Sequence, residues 1–159
     1  MLKAIAKPAK APYVLAQAVV NASCDATVNE NALATVTLPA NTLGPNGSVE
    51  ILATWAMTNS ANNKTTRVRF SGAAGTEFQN RIITTQSSSQ QLTSISNAGA
   101  ANAQCGMGLG SPGNGETTNA IVVEAVDTTA DTTIVISGQK ASAGETLTLV
   151  KYRITVYPG

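Results

Sequence analysis

The sequence predicts an all-β protein, an antiparallel β-sandwich of about eight strands behind an extended N-terminal arm. Three observations predict it. Apolar residues recur at every second position through several short runs, the period of a strand with one buried face. Charged residues make up 12% and aromatic residues 4% of the 159-residue chain, with Thr, Ser, Asn, Ala and Gly taking up the balance, as in short strands joined by many turns. No segment carries a helical period with caps; Asn97 to Cys105 is rich in Ala and Asn and has Gly99 inside it.

Residues 1 to 12 hold two prolines and three lysines and cannot bury much alone, so they read as an arm, leaving one domain over 13 to 159. From Tyr13 onward strands are predicted at 13 to 20, 32 to 38, 48 to 58, 64 to 71, 76 to 86, 90 to 96, 119 to 126, 132 to 138 and 144 to 157. The breaks between them carry turn residues, as in Pro39 to Gly47, Ser60 to Asn63, Ser71 to Gly75, Gln86 to Ser89, Asp127 to Asp131 and Gly138 to Gly144.

The clearest stretch runs from Gly47 to Phe70. Val49, Ile51, Ala53, Trp55 and Met57 share one face of a strand; Thr66, Val68 and Phe70 share one face of the next, with Thr65, Arg67 and Arg69 opposite. The two read as a hairpin with one buried face. Trp55 then belongs to the core with Ile51, Val68, Phe70 and Ile154, and Arg67 and Arg69 can pair with Glu50 across the hairpin. In the last strand Leu147 and Leu149 occupy one parity and Val150, Tyr152, Ile154 and Val156 the other. A bulge or bend between Leu149 and Val150 reconciles them, as where a strand passes between sheets at a corner. The segment Asn97 to Thr118 reads as a surface excursion too long for a simple connection; it lacks the Gly-Lys-Ser/Thr ending of a phosphate-cradling loop.

The net charge of +1 is unevenly placed. Lys3, Lys7 and Lys10 precede the first acid, Asp25, and residues 13 to 159 carry seven basic and nine acidic side chains. Neither nucleic acid nor an acidic membrane is an expected partner, because both need clustered cations. No apolar run approaches the ~18 residues of a membrane-spanning helix. Lys3 to Lys10 followed by Tyr13 to Val20 and Asn21-Ala-Ser-Cys24 mimics a leader, but the apolar run is short, Gln17 interrupts it, and Asn21 is wrong for lipoprotein cleavage. Cys24 and Cys105 leave two alternatives open, a disulfide or two free thiols.

The chain has no histidine, which excludes a Cys/His zinc site, a Cys-His nucleophile and a Ser-His-Asp triad within it. Carboxylates remain: Glu124, Asp127 and Asp131 around one turn, with Glu50, Glu77, Glu116 and Glu145 scattered. A glycosidase needs two carboxyls across a cleft, usually with aromatic platforms, and Trp55 is already claimed by the core pattern. Asp127 and Asp131 fall short of a calcium shell without backbone help. No catalytic, cofactor or metal site is assigned, and the chain is read as a non-enzyme.

The run Ala56 to Phe70 resembles a segment of small structural proteins of tailed bacteriophage virions, in which a strand ending in Trp-x-x-Thr-Asn runs into Asn-Asn-Lys-Thr and a strand bearing Arg-Val-Arg. Pro45 to Ile51, and Asp127 to Gln139 leading to Gly144 to Leu149, are similar as well, so the resemblance spans roughly residues 45 to 149. It implies a jelly-roll sandwich used as a virion building block, either a capsid decoration (cement) protein or a tail-fibre or spike module. The chain begins at Met1 without heptads, which favours the decoration protein. Expected partners are then the major capsid protein and copies of this chain, as a homodimer or homotrimer, on the outer capsid surface after synthesis in the host cytoplasm.

The arm matches no part of that family, and its role comes from composition. Extended arms add backbone hydrogen bonds to sheet edges and bury small apolar groups. Leu2, Ile5, Tyr13 and Val14 are the expected apolar contacts, with Lys3, Lys7 and Lys10 pairing to an acidic shell. Two other classes compete: a receptor- or carbohydrate-binding module, which would show exposed loop aromatics, and a secreted adhesin-like domain, which would need a leader and a Cys24 to Cys105 bridge.

Overall fold

The structure is a computed structural model that describes residues 10 to 106 and 121 to 159. Ten strands follow one another: β1 (Tyr13–Ser23), β2 (Asn31–Leu38), β3 (Ser48–Met57), β4 (Lys64–Phe70), β5 (Thr76–Ile83), β6 (Ser88–Asn97), β7 (Gln104–Gly106), β8 (Val122–Glu124), β9 (Thr132–Lys140) and β10 (Leu147–Tyr157). They form a six-stranded sheet, β1-β10-β3-β6-β7-β8, facing a four-stranded sheet, β2-β9-β4-β5, and every pairing is antiparallel. The pairs are nested: β1 lies with β10, β2 with β9, β3 with β6 and β4 with β5. A long antiparallel ribbon wrapped once round a core adds the further pairs β10·β3 and β9·β4. That is a jelly roll, with β7 and β8 inserted so as to widen one sheet.

The period-two patterns account for the core. β3 alternates without exception, burying Val49, Ile51, Ala53, Trp55 and Met57; β4 buries Lys64, Thr66, Val68 and Phe70. Trp55 is 1% exposed and shares one core cluster with Ile51, Val68, Phe70 and Ile154, as expected. β3 and β4, however, are not a hairpin. They lie in opposite sheets and bury their apolar faces against each other across the sandwich, the six residues between them crossing from one sheet to the other. Glu50 is thereby separated from Arg67 and Arg69 and accepts a hydrogen bond from the Tyr157 hydroxyl at 2.9 Å.

The phase change in the last strand is a bulge. Leu149 pairs with Trp55 and Lys151 with Thr54, so Val150 is the extra residue, and Tyr152, Ile154 and Val156 return to the inner face. β10 stays in one sheet between β1 and β3, which corrects the expected corner. A second bulge in β5 turns Phe78 and Gln79 inward together, and Phe78 meets Phe70 edge to face with centroids 6.0 Å apart. The excursion expected over 97 to 118 contains β7; residues 107 to 120 lie outside the described residues.

The turns 24 to 30, 58 to 63, 84 to 87 and 141 to 146 gather at one end of the roll, and the start of β1 and Gly159 lie at the other. There the Gly159 amide donates to the Leu43 carbonyl at 2.8 Å. Gly44 has φ +71°, and a Cβ on it would lie 2.1 Å from the Gly159 carbonyl oxygen, so both backbone shape and close approach require glycine.

Candidate functional site

Most interior polar groups are spent on one another. Between the sheets the Thr66 hydroxyl donates to Gln91 Oε1 at 2.8 Å, the Gln79 amide donates to the same oxygen, and the Thr93 hydroxyl donates to Gln79 Oε1 at 2.6 Å. Buried Asn97 and Gln104 tie the ends of β6 and β7 to the β2–β3 loop and to the segment between β8 and β9: Asn97 donates to the Gly44 carbonyl and Thr128 hydroxyl, and Gln104 donates to the Val126 carbonyl. Lys64 is 0% exposed and Lys140, its cross-strand neighbour, is also buried. Their ammonium groups reach the end of the roll, Lys64 donating to Ser60 Oγ at 2.8 Å and lying 3.5 Å from Glu145, Lys140 donating to the Glu145 carbonyl at 2.9 Å. Both pin the turns that close that end.

The outer face of the four-stranded sheet is closed by charge. Arg69 donates to both Glu30 oxygens, at 2.9 and 2.8 Å, and to the Gly75 carbonyl at 3.0 Å; Arg67 lies 3.0 Å from Glu77 and donates to Gln139 at 2.9 Å. Arg69, first of all, with help from the Ser137 hydroxyl and the Arg67 charge, outweighs partial burial and holds Glu30 at a pKa of about 2. Glu30 comes from the β1–β2 turn, so that turn is clamped over the sheet.

The outer face of the six-stranded sheet is different. Gln17, Arg153, Leu52 and Leu92 form one cross-strand row over β1, β10, β3 and β6, and Val19, Lys151, Thr54 and Gln90 form the next. Val19 is 72% exposed, Leu92 50%, Val14 49% and Val123, on β8, 71%. Between β1, β10 and β3 the face dips into an open depression of about 460 Å³ lined by Gln17, Val19, Leu52, Thr54, Lys151 and Arg153. Thr54 Oγ1 is buried there without a hydrogen-bond partner among the described residues. Exposed aliphatic groups are more numerous here than on the other outer face, where Ile82 of β5 is exposed, and several on one face suit contact with another protein surface.

Of the residues expected to make contacts, Leu2, Lys3, Ile5 and Lys7 lie outside the described residues. Lys10 is exposed, and Tyr13 and Val14 open edge strand β1 opposite Val156 and Thr155. Val14 projects onto the same face as Val19. Val19, Leu52, Leu92, Lys151 and Arg153 were not anticipated, although a signal exists: Leu52 and Leu92 are aliphatic at positions where strand parity points outward.

The turn carboxylates serve their own loops. Asp127 accepts from the Thr129 amide and hydroxyl, and Asp131 from the Ala40 amide at 2.8 Å. Glu124 accepts from the Thr76 hydroxyl. Cys24 and Cys105 are free thiols, and burial pushes Cys24 up to about 11, so it is a packing residue rather than a nucleophile.

The chain is similar to two solved structures of infectious bursal disease virus. It is 11% identical to that of the Gx strain, with a TM-score of 0.43, covering 100% of this chain and 36% of that one. It is 10% identical to the VP2 subviral particle, with a TM-score of 0.42, covering 100% and 37%. The CBM2 module of the evolved Dit of Lactobacillus casei BL23 phage J-1 is 9% identical, with a TM-score of 0.39, covering 79% of this chain and 69% of that one. The chain thus spans little more than a third of the length of the bursal disease virus proteins. No family model matches the sequence, and no curated protein does.

Proposed function

We propose that this chain is a non-enzymatic virion structural protein, a capsid decoration protein that stabilises a phage head through contacts with the major capsid protein and with its own copies. The observation that carries this reading is the contrast between the two outer faces. One carries the Glu30–Arg67–Arg69–Glu77 network, with Ile82 exposed on β5, and the other presents Val14, Val19, Leu92 and Val123 to solvent around half-buried Leu52. Chemistry on a substrate calls for groups converging on a cleft, whereas these residues spread over a broad sheet, which suits protein contact. The likeness of residues 45 to 149 to virion proteins supports the same reading. The Lys- and Pro-rich composition of residues 1 to 12 supports a role for them as an arm that reaches the shell. Virions purified to homogeneity and dissociated for mass spectrometry test this: the protein belongs there in fixed proportion to the major capsid protein, and its absence overturns the proposal.

A second reading, a tail-fibre or carbohydrate-binding module, is favoured by the depression itself, where Gln17, Arg153 and the unpartnered Thr54 hydroxyl offer polar groups beside apolar ones. Binding of the purified chain to a glycan array, lost on Arg153→Ala, would favour it.

A further inference from the structure

The six-stranded sheet carries opposite charges at its two edges. Toward edge strand β1, Lys151 and Arg153 project from β10 beside exposed Val14 and Val19, and exposed Lys10 lies just ahead of β1. At the opposite edge Ile121 and Val123 are exposed, Glu124 ends β8 with its carboxylate accepting from Thr76 of β5, and Asp127 lies in the turn beyond. Of the other acids of the described residues around this sheet, Glu50 accepts from Tyr157, Glu145 from Ser60 and Asn62, Asp131 from Ala40, and Asp25, just past β1, from Thr27. Hydrogen bonds from Thr76 and Thr129 hold Glu124 and Asp127 below the usual carboxylate range, so both stay ionised at neutral pH.

From this we infer that copies of the chain associate head to tail, the acidic, aliphatic β8 flank of one seating against the basic, aliphatic β1/β10 flank of the next. The occupant follows from charge complementarity. An isologous contact of either flank with itself would set Lys151 and Arg153, or Glu124 and Asp127, against their own kind, and like charges across an interface oppose association. A heterologous contact pairs unlike charges at each junction and continues from copy to copy, closing as a ring when the rotation allows. Among the described residues both flanks end in edge strands, whose outer backbone groups are suited to joining another chain. This deepens the decoration reading by naming how copies meet, and it stands on the isolated chain alone.

Sedimentation velocity of the purified full-length chain over a concentration series, at low and at high salt, is the test. The expected result is concentration-dependent association that weakens with salt, as exposed charge pairs do. K151E/R153E and E124K/D127K should each weaken association about tenfold or more, and the chain carrying all four reversals should regain it because each junction again pairs unlike charges. D127N alone, which removes the charge but keeps an oxygen to accept from Thr129 and leaves the Glu124 to Thr76 bond intact, should weaken association with a nearly unchanged melting curve. A wild-type chain monomeric throughout, reversals without effect, or a four-fold variant as weak as its parents would overturn the inference. A chain that associates in this way yet is missing from virions would retire the decoration reading and leave the interface standing.

Discussion

Trp55 shows how much one side chain decides. It fills the middle of the inner face of β3 opposite Leu149, and its indole N–H has no hydrogen-bond partner among the described residues. Trp55→Ala is expected to cost about 3 to 5 kcal/mol through the cavity it leaves. Trp55→Phe should cost less, since it removes a buried donor whose desolvation is itself unfavourable by about 1 to 3 kcal/mol. Denaturant melts of both variants check the order; an unchanged midpoint for Trp55→Ala would contradict its place in the core. Glu30 makes the acid side testable. Its folded pKa of about 2 lies below its ordinary value of 4.5, so its contribution is fully present above pH 4.5 and is lost as pH falls toward 2. With screening of this partly exposed network the loss should be on the order of 1 to 2 kcal/mol. Glu30→Gln should flatten that limb of the stability profile, and an identical profile would show the Arg69 clamp to be idle.

Elements were legible to the extent that their periodicity was local. β3 and β4 could be drawn residue by residue, and the parity break at Leu149–Val150 located the β10 bulge, because alternation is a property of neighbours. Which sheet each strand joins was not legible: six residues suffice for a hairpin or for a crossing between sheets, and only nested pairing with β9 and β6 decides. β7 escaped because Gln104-Cys-Gly is too short to show a period. Lys64 falls in the strand expected at 64 to 71, but its burial was not legible, since lysine is rarely buried; its amine is carried out to Ser60 and Glu145 at the end of the roll. The outer face of the six-stranded sheet was half legible: Val14 was among the residues named for the arm, and Leu52 and Leu92 stood on the outward parity. The arm belongs to this scale as well. The first described strand starts at Tyr13; if residues 2 to 12 act as the proposed arm, deleting them should leave the melting temperature nearly unchanged while weakening attachment to the particle. Unfolding on deletion would make the arm part of the sandwich, and undiminished attachment would remove it from the contact.

At the scale of the molecule, the proposed decoration role rests on a jelly roll with a Glu/Arg network on one outer face and more exposed aliphatic residues on the other. A partner that binds only the assembled shell stabilises it by mass action, and many copies multiply modest contacts. Particles stripped of this protein should therefore rupture at a lower temperature and recover when it is added back. The central claim is tested most directly by the copy number of the chain in purified virions, measured by quantitative mass spectrometry against the major capsid protein. The account predicts many copies in fixed ratio to the shell. A few copies per particle, accompanying tail components, would contradict it in favour of a fibre module.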